Sequence, residues 1–235
     1  MALPKLNTPT YELELPSTAE KIKYRPFLVK EQKVLMMAQD SGEDQQIAEA
    51  MGNLVSSCTF GKVDAETSPM FDLEYVFLKV RGKSVGETVQ LSLICPDDEK
   101  TTVPVNLKLD DIEVQMLDNH TNEINISESV KVVFRYPLLN DMKSMDKDST
   151  DIQKVFHFLV NCMHEIHYDD DVYRRIDLKD KEIEDFIDQF TGEQFELITN
   201  FFNSMPKLRH TVEVTNPKTK VKSEVVLEGL ESFLG

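Results

Sequence analysis

The chain has 235 residues, 42 acidic and 26 basic, so its formal net charge at pH 7 is −16. This balance argues against binding to nucleic-acid backbones or anionic membranes, because both need a basic surface. The sequence has no long apolar run and no basic-then-apolar leader at its start, so we expect neither a membrane span nor a secretory signal.

The first predicted element is an antiparallel hairpin with one buried face. Tyr11 and Leu13 alternate with acidic residues, and after a polar turn at residues 17–20, Ile22 and Tyr24 alternate with basic residues. Alternation with a period of two on both sides of a short turn is typical of such a hairpin. Its solvent face sets acids opposite bases, which favours the pairing by about 0.2–1 kcal/mol per pair.

Three helices are predicted after this hairpin. The first carries Val34, Leu35 and Ala38 on one face and stops near Gly42, and the second begins at Asp44 with an apolar stripe at helical spacing. The third follows an N-cap and first-turn proline at 68–69 and is closed by Gly82. From Thr88 the apolar period changes to two, which predicts a second hairpin with a polar tip at 95–100.

The second half is predicted to be mainly helical. Short strands at 124–126 and 131–137 lead to a charged stretch, and one helical stripe runs over 152–166 and another over 183–190. Thr191 and Gln194 form a capping box that opens a further helix, ended by Pro206. A third hairpin, at 210–227, closes the sequence. Segments 109–113 and 227–231 both read Leu, acid, any residue, aliphatic, Glu, which hints at a duplicated hairpin module.

These elements predict an α+β fold of antiparallel β-hairpins packed with α-helices in two lobes. We expect residues 1–140 to form a hairpin, helix and sheet lobe, and residues 151–235 to form a helical lobe closed by the C-terminal hairpin. The charged stretch 141–150, which has little apolar content, is the predicted hinge between them.

The nearest approach to a metal or protease motif is the cluster of Cys162, His164 and His167. Zinc peptidases need two histidines four residues apart on a helix, so that both rings face one metal. The spacing here is three, and the favoured interpretation is a helix C-terminus, where histidines interact well with the terminal carbonyls. A metal-dependent hydrolase using His164 and His167 remains the alternative from a different functional class.

The second hairpin tip reads Cys95-Pro96-Asp97-Asp98, which is one cysteine short of half a zinc ribbon. The third tip, 216–219, has no cysteine, so Cys95 alone cannot hold zinc. The three cysteines are widely spaced and fit reduced cytoplasmic thiols better than disulfides. The sequence also lacks a nucleophile elbow, a phosphate-binding glycine loop and a dinucleotide fingerprint, so we expect no enzyme and no catalytic, cofactor-binding or metal-binding residues.

Several segments carry a resemblance to one family. They are residues 3–5, 8–13, 15–18 and 23–31 at the start, 71–78 and 80–87 in the middle, and 227–230 near the end. In these segments the sequence resembles the baseplate hub assembly proteins of T4-type contractile-tailed bacteriophages. Some relatives carry Cys-x-x-Cys at the hairpin tips, and this sequence departs from them there, so a zinc site does not carry over.

The resemblance implies a non-enzymatic assembly factor or structural subunit of the baseplate hub. Its expected partners are other phage tail and hub proteins, not nucleic acid or membrane, and it is expected to be oligomeric in the assembly. It would act in the host cytoplasm during assembly and in the tail baseplate of the virion. A cellular acidic adaptor unrelated to phage is a further alternative.

Protein–protein recognition is the expected mechanism, through exposed hairpin edges and an apolar docking patch. The edges are those of the hairpins at 11–25 and 210–227, and the patch lies at 26–28. The residues expected to contact a partner are Tyr11, Leu13, Tyr24, Pro26, Phe27 and Leu28.

Overall fold

The computed structural model describes residues 6–143 and 150–234, which form seven α-helices and eleven β-strands. The helices are α1 Val29–Ser41, α2 Asp44–Cys58, α3 Met70–Val85, α4 Leu139–Lys143, α5 Asp151–Cys162, α6 Asp180–Ile187 and α7 Gly192–Ser204. The strands are β1 Tyr11–Glu14, β2 Lys21–Tyr24, β3 Thr88–Ile94, β4 Thr102–Lys108, β5 Glu113–Gln115, β6 Glu123–Asn125, β7 Val130–Phe134, β8 Met163–Tyr168, β9 Asp171–Arg174, β10 Lys207–Thr215 and β11 Lys222–Glu228. The predicted α+β class is confirmed.

All the strands pair antiparallel, and the described residues form four small sheets. Two of them are the isolated hairpins β1–β2 and β3–β4, the third has the order β11-β10-β5, and the fourth has the order β6-β7-β8-β9. The three predicted hairpins are therefore present. The capping box is present as well, because Thr191 Oγ1 accepts the backbone N–H of Gln194 and the side chain of Gln194 accepts the N–H of Thr191.

The described residues separate into two compact units that differ from the predicted lobes. The first comprises the residues up to Gln115 together with those from Lys207 onward, and the second comprises Met116–Pro206. The C-terminal hairpin belongs to the first unit because β10 pairs with β5, for example at Leu208 and Val114. Of the predicted hinge, residues 144–149 lie outside the described residues, and the hinge stays a prediction.

Helix α3 forms the centre of the first unit, with 10 of its 16 residues buried. Two of its cations bind backbone carbonyls near the 3₁₀ turns that follow the second and third hairpins. Lys79 Nζ donates to the carbonyl of Asp110 at 2.9 Å, and the Arg81 guanidinium donates to the carbonyl of Leu234 at 3.1 Å. One helix thus binds the segments that follow both hairpins.

The three hairpins of the first unit share one type of turn. Each begins with a buried residue followed by a proline, and the residue four places later adopts a positive φ, over 15–19, 95–99 and 216–220. In each turn the N–H of the positive-φ residue donates to the carbonyl of the first residue, at 2.8, 3.0 and 2.9 Å respectively. The similarity among the hairpins therefore extends to their backbone hydrogen bonds.

The second unit packs α5, α6 and α7 against the four-stranded sheet, with Phe134 and Phe201 stacked in its core at a centroid distance of 5.2 Å. The helical stripe predicted over 152–166 is wrong in its last third, because α5 ends at Cys162 and the chain continues as β8. Strand β8 lies between β7 and β9, so its backbone groups are paired on both sides. Strand pairing outweighed the local helical periodicity.

Candidate functional site

The hairpin β1–β2 is held against α3 at both of its ends. At its tip, the N–H and the hydroxyl of Ser17 both donate to the carboxylate of buried Asp72, and after β2 the N–H of Phe27 donates to Ser84 Oγ at 2.9 Å. Burial raises the pKa of Asp72, and the Ser17 hydrogen bonds partly oppose this rise. The hairpin is thus fastened to α3 both at its turn and at the segment that follows β2.

The six residues predicted to contact a partner do not share one environment. Tyr24 is only 4 % exposed, so its side chain belongs to the core of the first unit. Tyr11 and Leu13 are half-buried on the same hairpin, as are Pro26 and Phe27 beyond it, whereas Leu28 is 40 % exposed. The expected contact surface therefore loses Tyr24 and keeps Tyr11 and Leu13 on the hairpin, together with the segment 26–28.

The outer edges of β1 and β2 carry backbone groups that no third strand pairs within the part of the chain that the structure describes. The hairpin pairs Glu12 with Lys23 across its solvent face, with Lys23 Nζ 4.0 Å from the Glu12 carboxylate and both side chains well exposed. Such a pair contributes little to stability. An unpaired strand edge is a common site for strand addition by a partner.

Between the hairpin and α1, Arg25 forms a clamp with Glu31. Arg25 Nη2 lies 2.9 Å from Glu31 Oε1, and Glu31 Oε2 accepts the N–H of Leu28 at 2.7 Å. The N–H of Arg25 also donates to the carbonyl of Cys58, the last residue of α2. Burial alone would raise the pKa of Glu31, but the hydrogen bonds from Arg25 and Leu28 hold it below its usual value.

The second unit repeats this clamp with other residues. Arg135 follows β7 as Arg25 follows β2, and it pairs with Asp141, six residues further on, at 2.7 and 2.8 Å. Asp141 Oδ2 accepts the N–H of Leu138 at 2.7 Å, and the N–H of Arg135 donates to the carbonyl of Cys162 at the end of α5. Each unit therefore contains a hairpin, an arginine clamp and two helices in the same order.

The two clamps differ in what their helices expose. Leu139, the first residue of α4, is 1 % exposed, whereas Val29, the first residue of α1, is 70 % exposed. Met36 and Met37 on α1 are 55 % and 71 % exposed. The first helical residue after the clamp is thus buried in the second unit and exposed in the first. Helix α1 therefore presents an apolar surface to solvent.

The exposed surface of α1 was not predicted from the sequence. Val34 was expected on one face with Leu35 and Ala38, but Ala38 is buried, Leu35 is half-buried and Val34 is exposed. The available signal was the presence of apolar residues on opposite sides of the helix, since at about 100° per residue Val29 and Met36 lie nearly opposite Ala38.

The two histidines of the hydrolase alternative lie on β8, so their predicted place at a helix C-terminus is wrong. Residues three apart on a strand point to opposite faces of the sheet, which separates His164 from His167. His167 Nε2 is instead 2.9 Å from a carboxylate oxygen of Glu165. Among residues 6–143 and 150–234 there is no group of three or more His, Cys, Asp or Glu side chains placed to hold a metal ion.

The tips of the second and third hairpins are joined by side-chain hydrogen bonds. Asn216, which is completely buried, donates to both carboxylate oxygens of Asp97 at 3.0 and 3.1 Å, and Thr219 Oγ1 donates to Asp97 Oδ2. The neighbouring carboxylate of Asp98 accepts the N–H and the hydroxyl of Thr101, and these hydrogen bonds lower its pKa. The two tips are therefore fastened by polar side chains.

Within the described ranges, no helix is both long and apolar enough to cross a bilayer. Among protein families, the model described as T4 bacteriophage base plate protein matches residues 8–235 of the chain. The match thus extends over both compact units. Comparison with curated proteins and with solved structures returned no significant match.

Proposed function

The chain belongs to the T4 bacteriophage base plate protein family, and on this premise we propose that it helps to assemble, or forms part of, the central hub of the tail baseplate. The observation that carries this proposal is the family match over residues 8–235. The residues that resemble hub assembly proteins lie within the same range, apart from the segment 3–5. The protein acts through contacts with other tail proteins and not through catalysis.

Its contact surface includes the open edges of hairpin β1–β2 and the patch formed by Pro26, Phe27 and Leu28. Unpaired strand edges offer main-chain hydrogen bonds to a partner strand. The adjacent patch adds apolar area, with Leu28 as its most exposed member. Because the Arg25 clamp and Ser84 hold this segment in place, little ordering is needed when a partner binds.

The test is affinity purification of the tagged protein from phage-infected cells, followed by mass spectrometry. We expect recovery of hub proteins, and recovery of no tail or hub protein would overturn the proposal. Leu28→Ser should reduce this recovery, since serine removes the apolar side chain and is a favoured residue at a helix N-cap.

Ile94→Ser is the matched control, because Ile94 is 58 % exposed on a different hairpin. Equal recovery with Leu28→Ser, Ile94→Ser and the unaltered protein would rule out the patch while leaving the hub assignment standing. Mass spectrometry of purified virions then separates the two forms of the proposal. A permanent subunit is present in the virion, whereas a transient assembly factor is absent from it and acts only in the host cytoplasm.

A further inference from the structure

Helix α1 has an exposed stripe of mixed apolar and charged residues. Val29, Lys33, Met36, Met37 and Asp40 follow one another at spacings of four, three, one and three residues, which places them on one side of the helix. All five are exposed. Exposed apolar side chains grouped on one side of a helix and flanked by charged residues are typical of protein–protein contact surfaces.

Two exposed charges of opposite sign on α1 lie at equal distances from its two methionines. Lys33 precedes Met36 by three residues, and Asp40 follows Met37 by three. Lys30 does not belong to this pattern, because its Nζ lies 3.2 Å from Glu31 Oε1 of its own helix. Lys33 is therefore complementary to Asp40 when a copy of the helix is turned end to end.

We propose that α1 is an interface at which two copies of this chain pack their α1 helices antiparallel around a twofold axis. The axis passes between Met36 and Met37, so that Met36 of each copy contacts Met37 of the other. Lys33 of each copy then lies opposite Asp40 of the other. A twofold contact of this kind uses the same patch on both copies and closes on itself.

The size of the helix sets the expected strength of this contact. With 13 residues, α1 is about 20 Å long, and a single helix pair of that length buries less area than a standard stable interface. The association is therefore weak, with a dissociation constant on the order of micromolar. It becomes appreciable when other proteins hold several copies close together.

Sedimentation equilibrium of the purified protein over a range of micromolar concentrations tests the interface without any phage partner. The unaltered chain should show a monomer–dimer equilibrium. Lys33→Glu alone, or Asp40→Lys alone, should weaken dimerisation by about tenfold, because each places like charges opposite each other twice. The double variant Lys33→Glu/Asp40→Lys restores opposite charges and should dimerise like the unaltered chain.

A mixture of the two single variants gives the sharpest result. A Lys33→Glu copy facing an Asp40→Lys copy has opposite charges at both contacts, so the mixture should form heterodimers although each variant alone is mainly monomeric. Lys62→Glu and Glu66→Lys are the controls, because they make the same charge changes at exposed positions away from α1. They should leave dimerisation unchanged.

Three outcomes would overturn the proposal. The first is an unaltered chain that stays monomeric throughout the range, and the second is single variants that dimerise as strongly as the unaltered chain. The third is failure of both the double variant and the mixture to restore the dimer. Circular dichroism of each variant checks that α1 is still folded, so that loss of the dimer is not loss of the helix.

Discussion

Arg25 and Glu31 form an ion pair that joins the end of β2 to the first turn of α1. The same carboxylate accepts the N–H of Leu28, so a single acidic side chain closes the junction and caps the helix. Because its pKa lies below the ordinary 4.5, the stability that Glu31 contributes is present above that value and is lost as pH falls through the lowered pKa.

Replacing Arg25 by methionine should destabilise the first unit by about 2–4 kcal/mol, because it leaves the mostly buried Glu31 carboxylate with only the exposed Lys30 as its cation. The measurement is urea-induced unfolding followed by circular dichroism at pH 7. Lys23→Met is the control, since Lys23 belongs to a well-exposed pair, and it should change the free energy of unfolding by less than about 0.5 kcal/mol. Equal effects from the two variants would contradict the clamp.

Glu74 should make the protein less stable as pH rises toward neutrality. Burial on α3 and the nearby Glu231 raise its pKa from 4.5 to about 7. The native state therefore holds a proton that the unfolded state releases, so stability is full below about pH 4.5 and falls as pH rises through about 7.

Glu74→Gln should remove this cost and raise the free energy of unfolding at pH 8 by about 1–3 kcal/mol, with little change at pH 4. Urea unfolding at several pH values measures the difference. Glu66→Gln, at an exposed position, should show no such trend. A gain from Glu74→Gln that is the same at both pH values would mean that ionisation of Glu74 is not its cause.

Asn216→Ala should cost about 1–3 kcal/mol, because it removes the donor to Asp97 and the acceptor of the Lys218 N–H from a fully buried position. Thr219→Ala removes two hydrogen bonds of the hydroxyl, one to Asp97 and one from the Val221 N–H, but at an exposed position where water can replace them, so it should cost less. Thermal unfolding of the two variants compares them. If Thr219→Ala were the more damaging, Asn216 would not be the main fastening between the two tips.

Lys79→Met should destabilise the first unit by about 2–4 kcal/mol, since the Lys79 ammonium binds the carbonyls of Asp110 and Ile112 at 2.9 and 3.0 Å. Methionine keeps the unbranched apolar part of the side chain but leaves these carbonyls without the Lys79 donor. Amide hydrogen exchange should show the loss of protection first in the turn at 109–111. Lys62→Met, on the surface, should leave exchange in this turn unchanged.

Local rules were sufficient wherever one segment of chain decided its own structure. The alternation around Tyr11 and Tyr24 predicted the first hairpin, and the capping box at Thr191 predicted the start of α7. Local rules were not sufficient to predict the structure of residues 163–168, where the apolar spacing fits both a helix and a strand. Pairing with β7 and β9 made it a strand, and those partners are distant in sequence.

The repeated clamp has a sequence pattern that does not by itself predict the clamp. Both 25–31 and 135–141 read arginine, then leucine three residues on, then an acid six residues on. This spacing indicates a repeated structure only because the carbonyls of Cys58 and Cys162 accept the two arginine N–H groups, which the tertiary structure shows. The same comparison shows that Val29 is exposed to solvent, whereas Leu139 at the equivalent position is buried.

The sequence by itself determined the α+β class, the three hairpins and the membership of the baseplate family, because periodicity, turn residues and family motifs are properties of short segments. Only the tertiary structure decided the division into two units, the buried place of Tyr24 and the exposed stripe on α1. Those features depend on which distant segments meet, and burial is a property of the neighbours that a residue acquires on folding.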